Sequence, residues 1–319
     1  FGSRAPRSPP DGRPCGRWPS ERSATSPRHA NRVARLAPAP ARSGRSSAAA
    51  AMGSGLARLV FQPPPPSYSK DPSLLWLKTS RDEVIPAFYI HREPRGSQEK
   101  RAHFTLLFSH GNAEDLGYII RYFKDLSSIL NVNVFSYEYT GYGMSTGSPT
   151  ELAVYSDVEA AFKYIRDELR TPWQQIVPYG RSLGTAPSVH LAKLTAVRGV
   201  VLQSPMVSIY RIPFQLRFTL PGDVFSNIDK IGKVCCPTFV IHGTRDEIVP
   251  VWHGQALYEV CKKKGTAYDA FIVEGGDHNS LEQQAGDAFY DRLGRFLAHL
   301  EQNEPSDKLL QQAAESPQL

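Results

Sequence analysis

The sequence contains few cysteines and no long apolar run. Its four cysteines, Cys15, Cys235, Cys236 and Cys261, lack the spacing of a metal site or of a disulfide framework, so we expect free thiols in a reducing compartment. No apolar stretch approaches the roughly 18 residues that a membrane-spanning helix needs, which predicts a soluble folded body. We therefore expect no metal, no cofactor and no transmembrane segment.

Positive charge is concentrated at one end of the chain. The net charge of +6 comes from residues 1–51, where ten arginines face only Asp11 and Glu21, so the rest of the chain is slightly acidic. A slightly acidic folded part has no basic surface for a phosphate backbone. Nucleic-acid binding is therefore not expected.

Residues 1–67 are predicted to be a disordered segment with a connector. Residues 1–51 are rich in Arg, Ser, Pro and Ala, and their scarce large apolar side chains cannot offset the entropy lost on ordering. The four prolines at 63–66 predict a stiff, extended connector. Met52 is a candidate initiator, which favours a cytoplasmic protein. Mitochondrial targeting by residues 1–51 is the competing interpretation, and the many prolines argue against it.

Strand and helix patterns alternate through residues 68–302. Short apolar runs predict an early hairpin around Asp82 and buried strands near 104–108, 132–137, 176–179, 197–202, 238–241 and 271–273. Helical spacing is found at 116–130, 151–169, 183–194, 252–263 and 281–301. This alternation predicts an α/β domain with a mostly parallel sheet and helices on both faces. Residues 206–236 are too few for a large lid domain, and residues 303–319 are expected to be a polar, frayed tail.

A serine lies between two glycines directly after a predicted strand. Gly180-Arg181-Ser182-Leu183-Gly184 follows the strand at 176–179 and precedes a helical pattern. Small residues on both sides allow the sharp strand-to-helix turn that exposes a nucleophilic hydroxyl above a sheet. The motif is common by chance, but its context favours nucleophilic acyl transfer.

An acid and a histidine follow at later strand ends. In an open α/β sheet, reacting groups gather at the carboxyl ends of the strands. Asp246 lies just after the strand at 238–241, with Glu247 as the neighbouring candidate acid, and His278 follows the last strand. The order Ser182, Asp246, His278 is that of a nucleophile, acid and base in this architecture, so we predict a catalytic triad.

The loop after the first parallel strand predicts an oxyanion hole. His110-Gly111-Asn112-Ala113 follows the strand at 104–108, where such enzymes place one backbone donor; the residue after the nucleophile supplies the other. We assign the backbone N–H groups of Asn112 and Leu183, with Ala113 as the alternative to Asn112. His110 and His242 are interpreted as structural.

Several longer motifs resemble a known family. They are residues 56–64 (LARLVFQPP), 109–117 (SHGNAEDLG), 135–143 (FSYEYTGYG), 180–185, 242–247 and 273–279 (VEGGDHN). Together, from about Gly55 to Glu301, they resemble the alpha/beta hydrolase domain-containing 17 family of protein depalmitoylases. The resemblance implies an alpha/beta-hydrolase fold and a serine hydrolase that removes palmitate from cysteines of membrane-associated proteins. It implies the nucleophile, acid and base at Ser182, Asp246 and His278.

The resemblance also implies partners and an anchor. S-acylated (palmitoylated) proteins would be the substrates, with peripheral association at membranes. Family members begin with a cluster of palmitoylated cysteines, whereas this sequence has none near Met52 and only Cys15 before it. Two alternatives therefore stay open: a carboxylesterase or monoacylglycerol-type lipase with the same residues, and a non-catalytic binding module that keeps the fold.

Overall fold

The computed structural model describes residues 60–94, 96–97, 100–214 and 222–315. The predictions for residues 1–59, including the Arg-rich segment and the candidate initiator Met52, lie outside the described residues. Among the described residues, no helix combines the length and apolar character needed to cross a bilayer.

The described strands form one sheet. They are β1 (Leu75–Lys78), β2 (Val84–Ile90), β3 (Thr105–Ser109), β4 (Asn133–Tyr137), β5 (Ile176–Arg181), β6 (Val200–Gln203), β7 (Thr238–Gly243) and β8 (Ala267–Val273). Their order across the sheet is β1-β2-β4-β3-β5-β6-β7-β8. β2 is antiparallel to both β1 and β4, and every later pairing is parallel. The mostly parallel sheet is confirmed.

Helices connect the parallel strands. They are α1 (Leu116–Leu130), α2 (Glu151–Asp167), α3 (Thr185–Leu194), α4 (Arg211–Phe214), α5 (Ile228–Ile231), α6 (Trp252–Lys264), α7 (Leu281–Ala285), α8 (Asp287–Gln302) and α9 (Asp307–Glu315). Between β6 and β7, the described residues contain only the short α4 and α5, so no large lid domain is present there.

The core has two parts, one on each face of the sheet. In β3, Leu106 and Phe108 pack with α1 and α8, whereas Leu107 packs with α2 and α3. The alternation follows from the period of two along a strand. Because helices cover both faces, β3 and β4 are buried throughout, and consecutive apolar residues occupy the middle of each strand.

Ordered residues are found on both sides of the predicted bounds 68–302. Val60 and Phe61 are buried in the core, although they fall within the segment predicted to be disordered up to residue 67. At the other end, the tail predicted to be frayed forms α9, which buries Leu309. In both cases a short apolar stretch next to proline-rich or polar sequence packs onto the domain, which local composition does not reveal.

Two element boundaries also differ from the predictions. The helix predicted at 281–301 is interrupted at Gly286, whose φ of 55° separates α7 from α8. Strand β8 begins at Ala267 rather than at 271. It is an edge strand whose first six residues are only partly buried, so its sequence shows no continuous apolar run there.

Candidate active site

Ser182 lies on a tight turn between β5 and α3. Its φ is 53°, in the left-handed region that non-glycine residues seldom adopt. A Cβ added at Gly180 would collide with the carbonyl oxygen of Gly184, and one added at Gly184 would collide with that of Ser109. Glycine is therefore required at both positions, because the strand and the helix cross at backbone contact. The strained turn exposes the Ser182 hydroxyl at the carboxyl edge of the sheet.

His278 and Asp246 lie beside this hydroxyl. The Nε2 atom of His278 is 2.9 Å from Ser182 Oγ, and its Nδ1 is 2.7 Å from Asp246 Oδ2. The Asp246 side chain is fully buried, and that of His278 is 10% exposed. The structure thus brings the predicted nucleophile, base and acid into one hydrogen-bonded chain, in which Asp246 orients the imidazole and leaves Nε2 facing the serine.

Both oxygens of the Asp246 carboxylate have hydrogen-bonding partners. Its Oδ1 accepts hydrogen bonds from the backbone N–H groups of Ile248 (3.1 Å) and Val249 (2.7 Å). Burial would raise its pKa, but the hydrogen bonds from His242 and His278 outweigh burial and hold the pKa well below its ordinary value. Asp246 is therefore ionised at any neutral pH. Glu247, the alternative acid, is exposed.

Asn112 lines the same cleft as Ser182 and His278, a small space of about 40 Å³. The next residue, Ala113, has a φ of 57°, so this loop turns sharply after β3. Leu183 follows the serine directly, and its side chain is buried. The two backbone groups predicted as oxyanion donors are thus on segments that flank the Ser182 hydroxyl.

An ionic network that no sequence pattern indicates supports the cleft. Arg181 forms ion pairs with Glu114 and with Glu282 (3.0 Å to the latter). The Glu114 carboxylate also accepts the Gly111 N–H at 2.7 Å. Burial raises the pKa of Glu114, but the charge of Arg181 and the hydrogen bonds lower it by more. Arg181 therefore joins the loop after β3, the serine turn and the helix after His278.

The two histidines interpreted as structural are fully buried. His110 Nδ1–H donates to Gly111 O at 2.8 Å, and its Nε2 is 3.3 Å from Glu138. Burial alone would lower the pKa of His110, but the adjacent Glu138 raises it overall. His242 donates to the Val249 carbonyl at 2.7 Å. Both side chains brace loops at the edge of the sheet.

A larger cavity adjoins the cleft. It has a volume of about 480 Å³ and shares Glu114, Arg181 and Asn279 with the smaller space. Tyr118 and Tyr122 are also in its wall. In the part of the chain that the structure describes, no group of three or more His, Cys, Asp or Glu side chains is arranged to hold a metal ion.

Family models match two parts of the chain. The model of the prolyl oligopeptidase family matches residues 222–303, and that of the Chlamydia CHLPS protein (DUF818) matches residues 97–198. The first of these contains Asp246 and His278, and the second contains Ser182. Each match covers less than half of the chain.

Known proteins match over a longer range. The alpha/beta hydrolase domain-containing protein aho-3 of Caenorhabditis elegans is 40% identical over 76% of this chain and 77% of its own length. Human alpha/beta hydrolase domain-containing protein 17B is 36% identical over 76% of this chain and 90% of its own length. Human protein 17C is 40% identical over 70% of this chain and 64% of its own length.

Solved structures match in fold. An esterase of Pyrococcus furiosus gives a TM-score of 0.61 at 17% identity, over 75% of this chain and 97% of the esterase. A monoacylglycerol lipase of Paleococcus ferrophilus gives a TM-score of 0.51 at 17% identity, over 68% of this chain and 99% of the lipase. At these identities the likeness establishes the alpha/beta-hydrolase fold.

Proposed function

Since the chain belongs to the alpha/beta hydrolase domain-containing protein 17 family and is a hydrolase, we propose that it cleaves acyl thioesters, with palmitoyl-cysteine of proteins as the substrate class. Ser182 is the nucleophile, His278 the general base and acid, and Asp246 the residue that orients His278. Peripheral association with membranes in the cytoplasm, where acylated proteins reside, is part of the proposal.

The hydrogen-bonded chain from Ser182 through His278 to Asp246, at 2.9 and 2.7 Å, supports this proposal above all else. A serine hydroxyl is a weak nucleophile until a base accepts its proton. Because Asp246 is ionised and bonded to Nδ1–H, the imidazole presents an unprotonated Nε2 to the hydroxyl. Such an arrangement, on a strained turn at the edge of a sheet, is typical of acyl transfer.

The reaction proceeds in two displacements. His278 Nε2 accepts the hydroxyl proton while Ser182 Oγ attacks the thioester carbonyl, and the carbonyl oxygen becomes an anion. The backbone N–H groups of Asn112 and Leu183 donate hydrogen bonds to that anion. Collapse breaks the carbon–sulfur bond, and the imidazolium returns its proton to the leaving thiolate. A water molecule then gives a proton to His278 and attacks the acyl-serine ester. When the carbon–oxygen bond to Ser182 breaks, the imidazolium returns that proton to Ser182 Oγ, and the fatty acid is released.

The test is thiol release from a short peptide carrying one S-palmitoyl cysteine, followed with a thiol reagent. We expect turnover by the wild-type protein and a loss of at least about 1000-fold in Ser182→Ala, since both displacements need the hydroxyl. Ser226→Ala is the matched control, because the Ser226 hydroxyl donates to Asp229 of α5 and Ser226 does not line the cleft. Thiol release equal in the wild type and in Ser182→Ala would contradict the proposal.

Oxyester cleavage is the second candidate, because a serine hydroxyl activated by His278 can also attack an oxyester carbonyl. The palmitoyl peptide is therefore compared with its serine O-palmitoyl counterpart and with a monoacylglycerol. A kcat/KM for the oxyesters that exceeds the thioester value would assign the protein to the carboxylesterases or lipases. Failure of a fluorophosphonate probe to label Ser182 in folded protein would instead favour a non-catalytic module.

A further inference from the structure

The side chain of Asn112 is bound by a segment far away in the chain. Its Nδ2 donates to the carbonyl oxygen of Val60 at 2.8 Å, and its Oδ1 accepts the backbone N–H of Gln62 at 3.1 Å. The same Oδ1 accepts the hydroxyl of Tyr142 at 2.6 Å. The amide is thus held by three hydrogen bonds: it donates one to the backbone of Val60, accepts one from the backbone of Gln62 and accepts one from Tyr142.

Residues 60–62, called here the strap, are themselves fixed. Val60 and Phe61 are buried, with 7% and 6% of their surface exposed. The ring of Phe61 packs edge-on against Phe225 at a centroid distance of 5.8 Å. Phe225 belongs to the residues between β6 and β7, so the strap lies between that segment and the Asn112 loop. Packing fixes the position of the strap, and the hydrogen bonds of the strap in turn fix the position of the Asn112 side chain.

We infer that the backbone of the strap positions the oxyanion loop, although the strap lies some 50 residues before Asn112. This rests on the proposed function, in which the backbone N–H of Asn112 stabilises the developing anion. An oxyanion donor must be in place before the charge develops, since movement during the reaction forfeits the gain. By binding the side chain of Asn112, the strap holds the donor residue in place before the charge develops.

The strap acts through its backbone. The side chain of Gln62 is exposed, whereas its N–H is 3.1 Å from Asn112 Oδ1 and 3.2 Å from the Tyr142 hydroxyl. Val60 likewise uses its carbonyl oxygen. A substitution that removes the Gln62 N–H therefore separates the strap's role from that of its side chains. Proline at position 62 removes this donor, and alanine keeps it.

The experiment compares Gln62→Pro with Gln62→Ala in the full chain, with Tyr142→Phe as an independent loss of one bond to Asn112. For Gln62→Pro and Tyr142→Phe we expect kcat to fall about 5- to 20-fold with KM within about twofold, a fraction of the roughly 100- to 1000-fold cost of losing a whole donor. Affinity for a trifluoromethyl ketone, which forms an oxyanion on Ser182, should fall by the same factor as kcat/KM. Gln62→Ala should behave as the wild type.

Amide hydrogen exchange gives a readout that does not need turnover. In Gln62→Pro and Tyr142→Phe, exchange should speed up in a peptide covering residues 110–114 and stay unchanged in β7. Unchanged exchange at 110–114 with unchanged kcat in both variants would overturn the inference. If Gln62→Pro does not fold, Tyr142→Phe decides alone. If the wild type cleaves no ester, the proposed function fails, and the exchange measurement still decides whether the strap holds the loop.

Discussion

Arg181 offers the sharpest test of how the site is held together. Its guanidinium pairs with Glu114 in the loop that carries Asn112, and with Glu282 in the helix that follows His278. The side chains of Arg181, Glu114 and Glu282 are 18%, 26% and 9% exposed. Replacing Arg181 with glutamine removes the cation and leaves two largely buried carboxylates close together.

The magnitude follows from that burial. Removing one partner of a fully buried ion pair costs about 3–5 kcal/mol. Because about a quarter of Glu114 is exposed, water screens part of this loss. We therefore expect Arg181→Gln to lower the free energy of unfolding by about 3 kcal/mol at pH 7, and kcat by about tenfold through displaced loops.

The loss should depend on pH in a defined direction. The pKa of Glu114 is lowered in the folded protein from an ordinary value of 4.5. Its contribution to stability is therefore fully present above that ordinary value and is lost as the pH falls through the lower folded pKa. The difference in unfolding free energy between wild type and Arg181→Gln should be largest near neutral pH and shrink in acid.

Urea unfolding followed by circular dichroism, from pH 3.5 to 7.5, measures these differences. Arg295→Gln is the matched control, since Arg295 and its partner Asp291 are 66% and 52% exposed, and such pairs contribute at most about 1 kcal/mol. An Arg181→Gln protein within about 1 kcal/mol of the wild type at pH 7, with full activity, would refute the idea that this network holds the loops.

Three further predictions concern the serine turn, the acid of the site and a buried carboxylate in α2. Gly184→Ala should abolish activity and lower the melting temperature, because its Cβ meets backbone that cannot move aside; a protein that melts and turns over like the wild type would contradict this. Asp246→Asn should lower kcat by about 10⁴-fold, because the asparagine stabilises the wrong tautomer of the His278 imidazole. Glu247→Gln should leave kcat within twofold. A large loss of kcat in Glu247→Gln and a small one in Asp246→Asn would make Glu247 the acid. Burial raises the pKa of the Asp157 carboxyl from 3.8 to about 7, although the hydrogen bonds from Thr140 act to lower that pKa. Because the folded pKa is raised, the stability contributed by protonated Asp157 is lost as the pH rises through that pKa. Between pH 5.5 and 8.5, urea titrations should therefore show the wild type losing about 2 kcal/mol more unfolding free energy than Asp157→Asn. Equal pH dependence of the unfolding free energy in the two proteins would contradict the raised pKa.

The parallel sheet was predictable because its strands are buried on both faces. Such strands appear in the sequence as short apolar runs. The observed first and last residues of β3, β4 and β5 lie within two residues of the predicted ones. The edge strand β8 was shortened in the prediction because it mixes polar and apolar residues. Burial, not strand propensity, was the information that the pattern carried.

The positions of Ser182, Asp246 and His278 followed from topology. Residues at the carboxyl ends of neighbouring parallel strands meet at one edge, so only the strand ends needed to be located. The partners of Arg181 did not follow in this way. Glu114 and Glu282 are 67 and 101 residues from Arg181, and no periodicity links an ion pair across three loops.

The ends of the domain also show a difference between what local sequence predicts and what tertiary structure decides. Val60, Phe61 and Leu309 lie in short apolar stretches next to proline-rich or polar sequence, and local composition alone does not predict their burial. They are buried because the completed domain presents surfaces that accept them. Their order is a property of the docking site and not of the segment that docks.

Local sequence therefore determined the strands, the glycine-flanked turn at Ser182 and the order of the three polar residues at the strand ends, since each depends on burial pattern or backbone sterics within a few residues. Tertiary structure alone decided which side chains brace the cleft and that residues 60–62 reach Asn112. Contacts of this kind join groups that are distant in the chain, and they form only when packing has brought their backbones together.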